Sequence, residues 1–164
     1  MKTSKFIKFA ISVLLLNSLQ LSAHAAGSVE FTNKAEVDVT VLSKDGKKET
    51  KRMPAKKVAP DGEVIYTTTF KNTIDKTISN IVITNPIPAN MTYSGDSATG
   101  NNTEITYSVD GGKTYSPAEK LTVKGEDGKE RPAQAGDFSH IRWVYKGDLA
   151  TGKSSEVGFK AKVK

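Results

Sequence analysis

Residues 61–93, DGEVIYTTTFKNTIDKTISNIVITNPIPANMTY, decide the fold. Val64, Tyr66, Thr68 and Phe70 recur at every second residue, the spacing that sets side chains on one face of a strand. A polar connection, residues 71–80, holds the turn-prone Asn72 and Asp75. A β-branched run, Ile81-Val82-Ile83-Thr84, follows and stops at Asn85-Pro86-Ile87-Pro88. Neither proline can donate to a sheet ladder, and both hold the backbone in an extended corner. Two strands and a rigid corner predict an all-β chain.

The flanks repeat the pattern. Upstream, Val29 and Phe31 alternate, and Val37, Val39 and Val41 do so with Glu36, Asp38 and Thr40 facing the other way. Lys44-Asp45-Gly46-Lys47 supplies a hairpin turn. The basic segment 47–57, with Pro54, reads first as a return strand guarding a sheet edge and second as a partner-binding strip. Downstream, Met91 and Tyr93 alternate, residues 94–103 read as a polar loop, and Ile105, Tyr107 and Val109 resume the pattern. Thr114-Tyr115 is expected to begin a return strand, Leu121 and Val123 a short one, and residues 129–137 a polar loop. Ile141, Trp143 and Tyr145 share a face, with His140 and Arg142 on the other; Val157, Phe159, Ala161 and Val163 share the last. No segment shows helical spacing over three turns. The expected architecture is an immunoglobulin-like sandwich of two antiparallel sheets, about eight strands, with no long helix.

Residues 1–25 read as a signal peptide: Lys2, Lys5 and Lys8 precede an apolar run, and Ala23-His24-Ala25 is an A-x-A site cut after Ala25. The run is too short to span a bilayer, which takes about 20 residues. With no cysteine at the cut, a lipid anchor is not expected. Residues 26–56 then supply N-terminal strands and the basic edge, and residues 57–164 the sandwich core, in one domain. The chain has no cysteine, so no disulfide, thiol nucleophile or thiolate metal site is available. Three of the 24 basic residues lie in the leader, which leaves 21 against 18 acidic and a net +3. Only three are arginines, and the lysines are scattered, so no nucleic-acid partner is expected. No membrane insertion is expected once the leader is gone.

The order of motifs resembles the DUF11 family, the conserved repeat domain of bacterial surface and exported proteins. It runs Val-x-Tyr-x-x-x-Phe-x-Asn from Val64, Asn-Ile-Val-Ile-Thr-Asn-Pro-Ile-Pro from Asn80, Met-Thr-Tyr from Met91, Ile-Arg-Trp from Ile141 and Leu-Ala-x-Gly from Leu149. The resemblance covers about residues 57–164 and implies an Ig-like sandwich with no enzymatic activity. The family usually carries an aspartate where this chain has Asn85; the amide is expected to accept backbone hydrogen bonds there, and a carboxylate ion site is not. Residues 108–115, SVDGGKTY, resemble the Asp-box of sialidase-like propellers, implying a stabilised hairpin around Asp110 and Gly112.

Chemistry has few carriers. His140 is the single histidine after the leader, no Gly-x-Ser-x-Gly elbow accompanies it, and it is expected to be solvated or at an edge. Calcium needs converging oxygens; the weak candidates are Asp96, Asp110, Asp127 beside Glu126, and Asp137, none in an Asp-x-Asp-x-Asp-Gly loop. Tyr66, Phe70, Asn85, Pro86, Pro88, Asp110, Gly112, Trp143 and Phe159 are read as structural, and no cofactor is expected. The favoured function is a non-catalytic module of the periplasm or medium that contacts another envelope or extracellular protein. The alternatives are a glycan or calcium binder using loops 94–103 and 125–137, a fibre subunit donating the strand at residues 28–33, and, last, a hydrolase.

Overall fold

The computed structural model describes residues 28–164, and the expected leader lies outside them. The chain is all-β. Its strands are β1 (Val29–Leu42), β2 (Lys48–Pro54), β3 (Glu63–Asn72), β4 (Ile81–Pro86), β5 (Met91–Tyr93), β6 (Thr99–Gly100), β7 (Thr103–Ser108), β8 (Thr122–Lys124), β9 (Glu130–Pro132), β10 (His140–Tyr145) and β11 (Ser154–Val163). Two single-turn 3-10 segments, Ala118–Lys120 and Ala135–Asp137, are the helical pieces among the described residues. All pairings are antiparallel. The larger sheet runs β2-β1-β3-β11-β5, with β6 also on β11; the smaller runs β4-β10-β7; β8 and β9 form a separate ribbon.

The alternation seen in the sequence becomes the core. Val64, Tyr66, Thr68 and Phe70 of β3 are all buried, as are Val157, Phe159 and Ala161 of β11 beside them. Ile81, Ile83 and Asn85 of β4 and Ile141, Trp143 and Tyr145 of β10 are buried from the smaller sheet. Trp143 is fully enclosed, 6.3 Å from the Phe159 ring, and Tyr66 stacks on Phe159 at 4.9 Å. Phe70 meets Tyr145 edge-on at 5.3 Å. The Trp143–Phe159 and Phe70–Tyr145 contacts tie the two sheets together and Tyr66–Phe159 joins β3 to β11 within the larger one, each pair adding about 0.5–1.5 kcal/mol beyond its buried area.

Several connections differ from expectation. Residues 29–42 form one continuous strand, because the ladder to β3 hands over to the ladder to β2 at Glu36 without a gap. Residues 94–103 contain β6, where Gly100 and Thr99 pair with Val157 and Gly158. Residues 129–137 contain β9, paired with β8. Thr114 and Tyr115 do not form a return strand; the turn after β7 curls on itself and rejoins it only at the Tyr107–Ser116 bridge. Among the described residues the strands number eleven, in three sheets.

Candidate functional site

The first half of β1 pairs with Thr68, Phe70, Asn72 and their neighbours on β3, so the strand at residues 28–33 lies in its own chain's sheet. Its second half leaves the sandwich. The β1–β3 register ends at Glu36 opposite Ile65, whereas β1–β2 runs on from Glu36 opposite Pro54 to Leu42 opposite Lys48. The result is a two-stranded arm with seven exposed residues on β2. Val29, Phe31, Ala35 and Val37 pack on the core; Val39 and Val41 are not among the side chains that do. Leu42 is 72% and Met53 49% exposed.

Hydrogen bonding fixes which atoms the arm presents. Ala55 N–H donates to Ala35 O and Ser43 N–H to Lys47 O, so the odd-numbered residues of both strands form the bonded pairs between β1 and β2. The N–H and C=O groups of Lys48, Thr50 and Arg52 therefore point to the outer edge of β2, where no strand sits among the described residues. Pro54, the next in that series, has no N–H to offer. Arg52 is held by Asp38 across the strands at 2.9 and 3.1 Å, and its guanidinium keeps the Asp38 carboxyl below the usual carboxylate range. Residues 36–57 carry seven lysines and arginines against four carboxylates. That is the entire net positive charge of the described chain.

At the other end, β7 and β10 close on the Asp110 turn. Asp110 accepts from Ser108 Oγ at 2.7 Å, Lys113 N–H at 3.0 Å, Thr114 N–H at 3.0 Å and Thr114 Oγ1 at 2.6 Å. Thr114 first, then Ser108 and Lys113, hold its carboxyl far below the normal range. Ser108 Oγ in turn accepts from Gly112 N–H at 2.9 Å. Gly112 has φ +85°, and a Cβ there would meet Tyr115 Oη at 3.0 Å and the His140 ring at 3.3 Å, so glycine is required twice over. Tyr115 lies 3.5 Å from the Arg142 guanidinium in a cation–π stack. With its lone pairs committed to the loop, Asp110 has little left to give a metal.

His140 is half-buried on the central strand of the smaller sheet, not at an edge: it packs on this turn, and burial pushes its pKa down. Its Nδ1 is 3.1 Å from Ser139 Oγ, but that hydroxyl donates to Ser108 O at 3.1 Å and accepts from Gly111 N–H at 3.1 Å. The serine therefore spends its hydrogen bonds on the loop backbone. The calcium candidates also stay apart. Asp137 is clamped by both arms of Arg131 at 2.7 and 2.8 Å, Asp127 accepts from Lys129 N–H at 3.1 Å, and Asp96 sits in its own turn at φ +57°. Among the described residues no three metal-ligating side chains gather.

Asn85 departs from expectation. Its Nδ2 donates to Thr68 Oγ1 at 2.8 Å, Thr68 passes the chain to Asn33 Oδ1 at 2.7 Å, and Asn85 Oδ1 has no protein partner. The amide thus donates to a side chain and accepts from no backbone group. Asn85, Thr68 and Asn33 line a cavity of about 20 Å³, room for one water. Pro86 ends β4 and Pro88 turns the chain, its C=O accepting from Met91 N–H at 2.8 Å. Asn72, expected as a turn-prone residue of the polar connection, instead ends β3 fully buried; its Nδ2 donates to Lys76 O and Leu149 O at 2.7 and 2.8 Å and its Oδ1 accepts from Ile74 N–H. The signal was available: an asparagine ending a buried strand, in phase with Phe70. Comparison with known protein families and with characterised proteins finds no match for this chain.

Proposed function

We propose that the chain is an exported, non-catalytic β-sandwich module that contacts another protein of the envelope or medium, and that the β1–β2 arm is its contact element. The observation that carries this reading is the arm: half of a strand leaves the core with its partner strand wholly exposed and all the surplus charge placed there. Exposed, charged, unsupported backbone adds little to the stability of the sandwich and is left open as a surface for something else. The leader-like residues 1–25 and the resemblance to DUF11 surface modules support the location and the non-catalytic role. No helix among the described residues is long and apolar enough to cross a membrane.

The test is a photo-crosslinking residue placed at Thr50 on the arm or at Thr151 in the β10–β11 turn, in the native envelope. The expected result is a protein adduct from position 50 and none from position 151. No protein adduct at position 50, or the same adduct from both positions, overturns the reading.

A further inference from the structure

We infer that the outer edge of β2 takes up an extended, carboxylate-bearing segment of the partner protein as an added strand. The inference rests on the interaction role proposed above and specifies its chemistry. The edge offers the N–H and C=O groups of Lys48, Thr50 and Arg52, three residues at the two-residue spacing that an incoming strand requires. Its length is bounded by the turn at residues 43–47 on one side and by Pro54 on the other.

The side chains choose the occupant. A second copy pairing antiparallel about Thr50 would set Lys48 opposite Arg52 and Glu49 opposite Lys51, each twice, so repulsive and attractive pairs offset and Lys48 is left without a carboxylate. A strand with carboxylates opposite Lys48 and Lys51 satisfies both. Lys48 and Lys51 are exposed and have no ion pair among the described residues, whereas Arg52 is already neutralised by Asp38. On the face shared by Lys51 and Val39, the half-exposed Met53 asks for an apolar residue of the guest. The guest is therefore a short segment mixing carboxylates with apolar side chains.

The probe is a synthetic valine peptide with two glutamates three residues apart, to face Lys48 and Lys51, and the same peptide with lysines for the glutamates as control, titrated into the protein and followed by amide hydrogen exchange. The glutamate peptide is expected to bind and slow exchange at Lys48, Thr50 and Arg52, and the lysine peptide to do neither. Thr50→Pro removes an outward N–H while sparing the β1–β2 bonds, and should abolish that binding. The exposed pair Lys48→Glu and Lys51→Glu, which does not touch the ladder, should weaken it about tenfold or more at low salt. Binding without slowed exchange, equal binding to the lysine peptide, or equal uptake of parent and Thr50→Pro by anionic phospholipid vesicles in place of peptide overturns strand addition. So does a dimer of the free protein joined through β2. A position-50 protein adduct with no peptide effect sinks this inference and leaves the interaction role standing; no adduct sinks both.

Discussion

The two halves of β1 carry the same alternation and meet different fates. In residues 29–37 the odd-numbered face lies against the core through Val29, Phe31, Ala35 and Val37; in residues 38–42 the same face continues through Val39 and Val41 with nothing of the core beneath. The difference arises on the neighbouring strand. The β1–β3 ladder ends at Glu36 opposite Ile65 and β3 itself starts at Glu63, so beyond Asp38 the strand has β2 on one side and no strand on the other. Periodicity reports that a segment is a strand and which face is apolar. Whether that face has anything to sit on depends on where another segment, thirty residues away in sequence, happens to start.

The comparison can be broken or sharpened in graded steps. The largest effect belongs to the shared core: Trp143→Ala should cost about 3–5 kcal/mol in denaturant unfolding, with the arm's amide exchange unchanged by comparison. Asn85→Asp places a carboxylate beside Thr68 without a cation, and should cost about 3–5 kcal/mol near neutrality. Burial raises that carboxyl's folded pKa, so the penalty should be absent in acid and appear as pH climbs above about 4, the unfolded value. A variant as stable as the parent at pH 7 would show that the site supplies a hidden countercharge. Phe31→Ala, on the supported half of β1, should cost about 1–2 kcal/mol for its half-buried ring.

Acid tests the supported regions without mutation. Asp110, Asp137 and Glu63 have depressed folded pKa values, through Thr114, Arg131 and Lys160 respectively, and burial depresses that of His140. In each case the unfolded chain binds protons first. Stability should hold above about pH 6.5, decline as His140 is forced to charge, and fall further below about pH 4. A melting temperature flat down to pH 3 would contradict the hydrogen bonds described at the Asp110 turn and the Arg131 clamp. The smallest effect is expected on the unsupported half: Val41→Thr should change stability by less than about 0.5 kcal/mol. A loss as large as that of Phe31→Ala would mean the arm packs against something in solution.

Much of the sandwich was legible because its signals are local. Period-two runs in β3, β10 and β11 locate the core residues, and the two prolines locate the end of β4. The Asp110 turn was legible for the same reason: Ser108, Asp110, Gly112 and Thr114 act on one another within seven residues. What escaped was set by distant partners. β6 and β9 carry no apolar alternation and are strands only because β11 and β8 supply hydrogen bonds to them. Asn85 looked like a backbone acceptor because its donor target, Thr68, lies on the opposite sheet and its chain of bonds ends on β1. The arm was half legible: segment 47–57 announced an edge, but a basic edge reads alike whether it borders a sheet or stands clear of one.

One arrangement has a consequence for how the protein is made. β11 holds β3 on one side and β5 with β6 on the other, yet it is synthesised after all of them. Until those final residues leave the ribosome, the larger sheet lacks the strand that closes it, and Trp143 lacks the Phe159 ring that covers it. Contacts spanning such sequence separations form slowly, once the chain is whole. A polypeptide of this design keeps the two flanks of its larger sheet apart until the last strand is made, so loss of that one strand should undo the sandwich as a whole.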